Sequence, residues 1–315
     1  MLPFALSGAV VMGTAIVSTA LSLDGRDTLS RILLVVAAGA WVVLGVLLVA
    51  RLMRRHTPAR LGAGSPAALS GVAATAALGA RLVPLGWTAV GTGLLVFALG
   101  LWCALLRPVL REWTTPVAGS GFMLTVSTET LAVLGAEVAA RERATWLLAV
   151  AFALFLLGLG CYVFVLAGFD VRELARGRGD HWVAGGALAV CALAGGQTAL
   201  AAKTLATLPA VAAVLRDLSL AVWALGVGWL VVLVTGEVLR PRLRYDIRRW
   251  STVFPLGMYA ASGFTLGTVL HVSAITMFAR IWVWVAAVAW LAAFAALLGR
   301  TIRATRPHCP TRSQD

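Results

Sequence analysis

Apolar stretches of bilayer length recur ten times along the chain, over residues 4–22, 32–50, 66–84, 86–106, 115–135, 144–167, 182–203, 212–235, 247–270 and 280–299. A helix of about 20 apolar residues crosses the hydrocarbon core of a membrane, so each stretch predicts one transmembrane helix. The ten alternate in character. The first carries glycine and hydroxyls through its middle, as in Ser7-Gly8-Ala9-Val10-Val11-Met12-Gly13-Thr14-Ala15-Ile16-Val17-Ser18-Thr19, while the second reads Ile32-Leu33-Leu34-Val35-Val36-Ala37-Ala38. A lipid-facing helix has no use for hydroxyls, and a helix lining a water-filled path does. The alternation predicts an inner ring of odd-numbered helices around a central pore, inside an outer ring of even-numbered ones.

The polar positions follow the same division. The odd spans hold Ser70 and Thr75 in the third, Ser120, Thr125, Ser127, Thr128, Glu129 and Thr130 in the fifth, Gln197 and Thr198 in the seventh, and Ser251, Thr252, Ser262, Thr265 and Thr268 in the ninth. From this set the pore wall is expected to include Gly13, Thr14, Ser18, Thr75, Thr125, Ser127, Glu129, Thr198, Gly257 and Thr265. The competing reading of any one position is close helix packing, as in Gly71-x3-Thr75-x3-Gly79 and Gly263-x3-Gly267. The odd spans begin near residues 4, 66, 115, 182 and 247, a spacing that fits five tandem helical hairpins, with Pro3, Pro66, Pro116 and Pro255 near four of the starts. Proline is tolerated in a first helical turn and bends a helix further in.

Composition excludes a soluble fold. The chain has 315 residues, is 60% hydrophobic and 12% charged, and has a mean hydropathy of +0.92. A single transmembrane domain over residues 1–315 is expected, all-α, with no soluble appendage. The net charge of +13 raises nucleic acid as a partner, but its placement answers otherwise. Of the 26 basic residues, 18 follow even-numbered spans, among them Arg51, Arg54, Arg55, Arg60, Arg107, Arg111, Arg172, Arg240 and Arg249. By the positive-inside rule both termini are then cytoplasmic, in an inner or plasma membrane, and no nucleic acid is implied. Met1-Leu2-Pro3-Phe4 lacks a charged leader and reads as entry into the first helix. Cys103, Cys161, Cys191 and Cys309 form no paired motif, and His56, His181, His271 and His308 are scattered, so neither disulfide, metal nor cofactor is expected.

Two segments resemble a known family. Val11-Met12-Gly13-Thr14-Ala15-Ile16-Val17-Ser18 is similar to the opening motif of the tellurite-resistance/C4-dicarboxylate transporter family, which includes the plant slow-type anion channels. Arg249-Trp250-Ser251-Thr252-Val253-Phe254-Pro255-Leu256-Gly257-Met258-Tyr259-Ala260 resembles that family's ninth-helix signature. The resemblance implies five hairpins around a pore, a homotrimer with one pore per protomer, small anions or C4-dicarboxylates such as malate as substrates, and a pore-occluding phenylalanine at Phe254. A bulky apolar ring in a narrow tube blocks water and ions by dewetting, and Pro255 would bend the helix to aim it inward.

Three charged residues inside odd spans are candidates for function. Glu129 is the one carboxylate deep within a predicted span, at a cost of about 2.5–3.5 kcal/mol. It is either protonated, paired with Arg81 or Lys203, or a proton carrier. Arg81 and Lys203 lie toward the outer ends of their spans, where two cations would concentrate anions at a pore mouth or snorkel to headgroups. The expected function is an anion channel or secondary transporter. The alternatives are a proton-coupled carboxylate carrier using Glu129, or a membrane-embedded enzyme or sensor, which calls for clustered acids and histidines. No catalytic motif is present.

Overall fold

The computed structural model of the chain describes residues 4–53, 62–176, 179, 181–207, 209–239 and 246–305. Arg54, Arg55, Arg60, Arg178, Arg240, Arg242, Arg244, Arg306, Arg312, Pro3, His56, His308 and Cys309 lie outside the described residues. Ten long helices follow one another: α1 (Phe4–Leu23), α2 (Asp27–Met53), α3 (Ser70–Leu82), α4 (Thr88–Arg111), α5 (Met123–Glu142), α6 (Thr145–Ala167), α7 (Trp182–Thr204), α8 (Pro209–Leu239), α9 (Trp250–Leu270) and α10 (Ser273–Thr305). Outside them the described chain has short helical turns and one isolated bridge, between Val117 and Phe169. Nine helices among the described residues are long and apolar enough to cross a membrane, and Gly8–Leu23 of α1 is a shorter apolar helix.

Helix ends differ from the hydropathy edges in an instructive way. α2 begins at Asp27, α5 runs on to Glu142, and α10 spans Ser273–Thr305. Backbone hydrogen bonding continues past the apolar core wherever polar side chains reach water, so hydropathy marks the bilayer and not the helix. α3 is the reverse. Its apolar span is divided into a 3-10 turn over Pro66–Leu69, capped by Ser65, the helix proper, and a second 3-10 turn over Val83–Leu85.

Odd and even helices occupy different environments. The most apolar windows of α3, α5, α7 and α9 are 78%, 94%, 89% and 83% buried, against 17–33% for α2, α4, α6, α8 and α10. Contacts run from α1 to α3, α3 to α5, α5 to α7, α7 to α9 and α9 back to α1, a closed circuit of the buried helices. Each even helix packs on the odd helix before it. The alanine- and glycine-rich odd helices allow this close approach. At Gly257, for example, a Cβ would stand 2.9 Å from Ile16 Cγ2 and 3.4 Å from the Val17 backbone nitrogen, so α9 and α1 meet nearly backbone to backbone.

The connection from each odd helix to the next even one is short, and each contains one residue in the left-handed region: Gly25 (φ 77°), Gly86 (φ 89°), Arg143 (φ 54°), Ala206 (φ 52°) and His271 (φ 57°). A left-handed residue just past a helix lets backbone N–H groups return to its last free carbonyls. Arg143 and His271 do so onto Ala139 and Gly267. The five places where odd helices hand over to even ones therefore share one local geometry, and they define a short-loop end of the molecule.

Candidate functional site

Near the short-loop end a cavity of about 120 Å³ is lined from all five odd helices. α1 supplies Ile16, Thr19 and Ser22; α3 supplies Ala77 and Arg81; α5 supplies Thr130, Val133 and Glu137; α7 supplies Leu193 and Gln197; α9 supplies Met258. A wider vestibule of about 560 Å³ shares Pro84, Glu137 and Gln197 with it and adds Arg141, Arg143 and Thr204. Glu137 and Gln197 thus stand where the two spaces join.

Arg81 is only 2% exposed. Its Nε and Nη2 both donate to one acceptor, Ser30 Oγ on α2, at 3.0 and 2.9 Å. Ser30 is held in turn, donating to the Ser18 carbonyl at 2.7 Å while Ser18 Oγ donates to the Ser30 carbonyl at 2.7 Å. The guanidinium is therefore fixed from the outer helix, and its hydrogen bonds to the described residues are made by Nε and Nη2. Asp27 and Glu137 are the acids within electrostatic reach of Arg81, and Arg31 is the nearby cation. Arg81 and Glu137 form no direct ion pair. Glu137 Oε1 receives a long hydrogen bond from Gln197 Nε2 at 3.5 Å, and Oε2 is buried with no partner.

Phe254 lies below this cavity on α9, one turn from Met258, about 6 Å along the axis. It is fully buried. Its ring and that of Pro255 lean on Gly186 of α7, where a Cβ would stand 3.0 Å from Phe254 Cε1 and 2.8 Å from Pro255 Cγ. Pro255 lies inside α9, past its first turn.

The other expected residues are distributed differently. Thr14 and Thr75 have their hydroxyls turned to the outer helices: Trp290 Nε1 on α10 donates to Thr14 Oγ1 at 2.9 Å, and Trp41 Nε1 on α2 donates to Thr75 Oγ1 at 2.9 Å. Trp102 on α4 does the same to Thr128 at 3.1 Å. In each case the threonine donates back to its own helix, to Val10, Gly71 and Leu124, so the hydroxyl is used twice. Ser18 is engaged with Ser30. Gly13 lies under Trp250, 3.3 Å from its Cε3 for a Cβ built there. Ser127 and Thr198 donate to the carbonyls of Leu124 and Ala194. The hydroxyls of Thr125 and Thr265 are buried without a partner.

Glu129 does not reach the cavity. Its carboxyl is fully buried against Gly158 of α6, occupying the space a Cβ there would fill. Neither oxygen has a hydrogen-bond partner of good geometry; the Cys191 thiol on α7 faces it, with Cys161 on α6 nearby. The pairing with Arg81 or Lys203 considered for it is absent. Lys203 is exposed and lies with Arg216, Pro209 and Val269 in a separate pocket between α7, α8 and α9, away from Arg81.

Sequence reasoning passed over Glu137 and Ser30. Both fall just beyond the apolar edges, at residues 135 and 32, that bound the fifth and second spans. Residues 130, 133 and 137 recur at helical spacing, and that periodicity was the available signal. Among the described residues no group of histidine, cysteine, aspartate and glutamate could hold a metal ion.

Comparison with known proteins supports one assignment. Two uncharacterized membrane proteins, from two strains of Mycobacterium tuberculosis, are each 34% identical to the chain over 126 residues, 38% of this chain and 62% of theirs. The chain thus spans under two thirds of the length of these curated relatives. The family model described as voltage-dependent anion channel, SLAC1, matches residues 7–298. A multi-pass helical protein with that match over nearly its whole length belongs to the SLAC1 family of voltage-dependent anion channels.

Proposed function

We propose that the protein passes small anions through a path along the axis of its five odd helices, with C4-dicarboxylates such as malate as a second substrate class. The observation that carries this reading is a cavity lined from all five odd helices, mostly apolar in its wall but containing the buried Arg81, with the fully buried Phe254 one helical turn from its lining residue Met258. An anion entering from the vestibule meets Arg141 and Arg143, then Gln197 and Arg81, and is stopped by the aromatic ring. A positive wall focuses anions, and a dry apolar constriction holds them. In this reading five helical hairpins surround the pore, and the exposed apolar faces of the even helices meet lipid or neighbouring protomers of a homotrimer.

The orientation proposed rests on charge. The long loops between even and odd helices carry most of the arginines, which supports a reading with that end and both termini in the cytoplasm and the cavity toward the exterior. The family consists of channels and transporters, and no residue here is assigned a chemical reaction. Glu129, enclosed between α5, α6 and α7, is read as a packed acid and not as part of the anion path.

The test is planar-bilayer recording on purified protein with an anion series. Wild-type protein is expected to pass anions over cations at low conductance, and Phe254→Ala to raise the current by about tenfold or more. An unchanged current in Phe254→Ala would remove the gate. Cation selectivity would remove the anion path.

A further inference from the structure

We propose that the pocket between α7, α8 and α9 binds the headgroup of an anionic phospholipid, with Lys203 and Arg216 as the groups that take its phosphate. The site is separate from the anion path proposed above and does not rest on it.

The pocket encloses about 470 Å³, a volume in the range of small-molecule sites. Its walls are small side chains, Ala199 and Ala202 from α7, Ala206 from the turn, and Ala212 and Ala213 from α8, and these leave the space open. The hairpin then brings two cations to it, Lys203 in the last turn of α7 and Arg216 about two turns into α8. α7 separates the pocket from the axis. Gln197, Leu200 and Thr204 line the vestibule, while Ala199, Ala202 and Lys203 line the pocket, and at 3.6 residues per turn the two sets fall on opposite faces of the helix.

The depth is that of lipid headgroups. Residues 218–236 of α8 carry no charged side chain, a length of about 28 Å, which matches the hydrocarbon core. Arg216 and Asp217 mark one boundary of that core and Glu237 the other. The pocket is built from the part of α8 that precedes this boundary and from the end of α7. Below it, the most apolar window of α8 is only 28% buried, so lipid chains have apolar surface to lie on.

The donors suit a phosphate. Arg216 Nε donates to Asp217 Oδ1 at 2.8 Å, which engages one edge of a five-donor fork and leaves capacity for phosphate oxygens. Lys203 adds an ammonium with three donors. The first turn of α8, from which Pro209 and Ala212 line the pocket, has backbone N–H groups without intrahelical acceptors, at the positive end of a long helix. Thr207 also lines the pocket, and its hydroxyl is buried without a partner. Among the described residues lining the pocket there is no acid. With Asp217 counted against Lys203 and Arg216, one positive charge is left over, the complement of one phosphodiester. A zwitterionic headgroup would bring an ammonium for which the lining offers no carboxylate. A free phosphate at these exposed cations is screened by salt, whereas a lipid phosphate is held at this depth by its acyl chains.

The test is native mass spectrometry of the full-length protein in detergent, titrated with phosphatidylglycerol, with phosphatidylcholine of the same chains, and with inorganic phosphate. The wild type is expected to hold phosphatidylglycerol at one site about tenfold more tightly than phosphatidylcholine, and not to release it to inorganic phosphate. Lys203→Gln combined with Arg216→Gln should lose that preference. Ala212→Phe, which fills the pocket and keeps both cations, should lose it as well. Equal binding of the two lipids in wild type overturns the proposal, as does a preference that survives the double substitution. A preference lost in the double substitution but kept in Ala212→Phe shows attraction to surface charge without a pocket and also overturns it. Displacement by inorganic phosphate makes the site one for free anions and overturns the assignment to lipid. None of these outcomes bears on the anion path.

Discussion

The ring of Phe254 rests on the bare α-carbon of Gly186, so that the residue proposed as the gate on α9 is seated by the absence of a side chain on α7. A Cβ at Gly186 would stand 3.0 Å from Phe254 Cε1 and 2.8 Å from Pro255 Cγ. The proline ring cannot rotate away, and the phenyl ring is the part that must move. Gly186→Val is therefore expected to displace Phe254 and raise basal anion current toward that of Phe254→Ala, with thermal stability lowered by about 1–3 kcal/mol from overpacking. In the double variant Gly186→Val, Phe254→Ala the stability loss should shrink and the current should not exceed that of Phe254→Ala. Current that adds in the double variant would show that the two residues act independently.

The three tryptophan–threonine contacts between outer and inner helices are expected to matter for stability and not for flux. Thr14→Val, Thr75→Val and Thr128→Val each leave an indole N–H of Trp290, Trp41 or Trp102 without its acceptor. Interhelical hydrogen bonds of this kind contribute about 0.6–2 kcal/mol in membranes. Thermal unfolding in detergent should fall accordingly, with anion flux per folded protein unchanged. A changed selectivity in Thr75→Val would put that hydroxyl in the path after all.

Glu129 is expected to be replaceable. Its carboxyl has no partner to lose, so Glu129→Gln should leave stability, anion flux and the pH dependence of flux at wild-type levels. Gly158→Val is the demanding change at this site, because the new side chain would occupy the volume of the carboxyl. It should destabilise by about 1–3 kcal/mol, and Glu129→Ala in the same chain should recover much of the loss. A loss of pH dependence in Glu129→Gln would return proton coupling to that residue.

Cations at the short-loop end should separate into two groups by their effect on current at low salt. Arg141→Gln and Arg143→Gln, in the vestibule, are expected to lower conductance at low ionic strength and much less at high salt, where the field is screened. Lys203→Gln, in the pocket between α7, α8 and α9, should leave conductance unchanged at both. Equal sensitivity of all three would place the mouth elsewhere.

What could be read from the chain before folding was the environment of each helix, because hydroxyl and glycine content tracks burial: the odd helices that hold these residues are the buried ones. What could not be read was the direction of each hydroxyl. Thr14 and Thr75 lie on buried helices, yet their oxygens point outward to tryptophans far off in sequence, Trp290 and Trp41, and only the packing of the helices sets that. Arg81 was conspicuous as a charge in an apolar span. Glu137 and Ser30, which complete its surroundings, escaped notice because hydropathy ends a span where water begins while the helix continues. The repeated left-handed turns were also hidden, since glycine occupies the position in two of five and Arg143, Ala206 and His271 in the others.

The contact of α9 with α1 joins residues about 240 positions apart, as at Gly257 and Val17, and the Trp290–Thr14 bond joins residues 276 apart. During synthesis the wall of buried helices therefore stays open along one side until the ninth helix has been inserted. Until then the flank of α1 that will receive Gly257, and the Thr14 hydroxyl, face lipid or whatever escorts the nascent chain. Four hairpins alone make an unsealed trough, and the last hairpin acts as its stave. A chain halted before α9 is therefore expected to lack the contacts that close the circuit of buried helices onto α1.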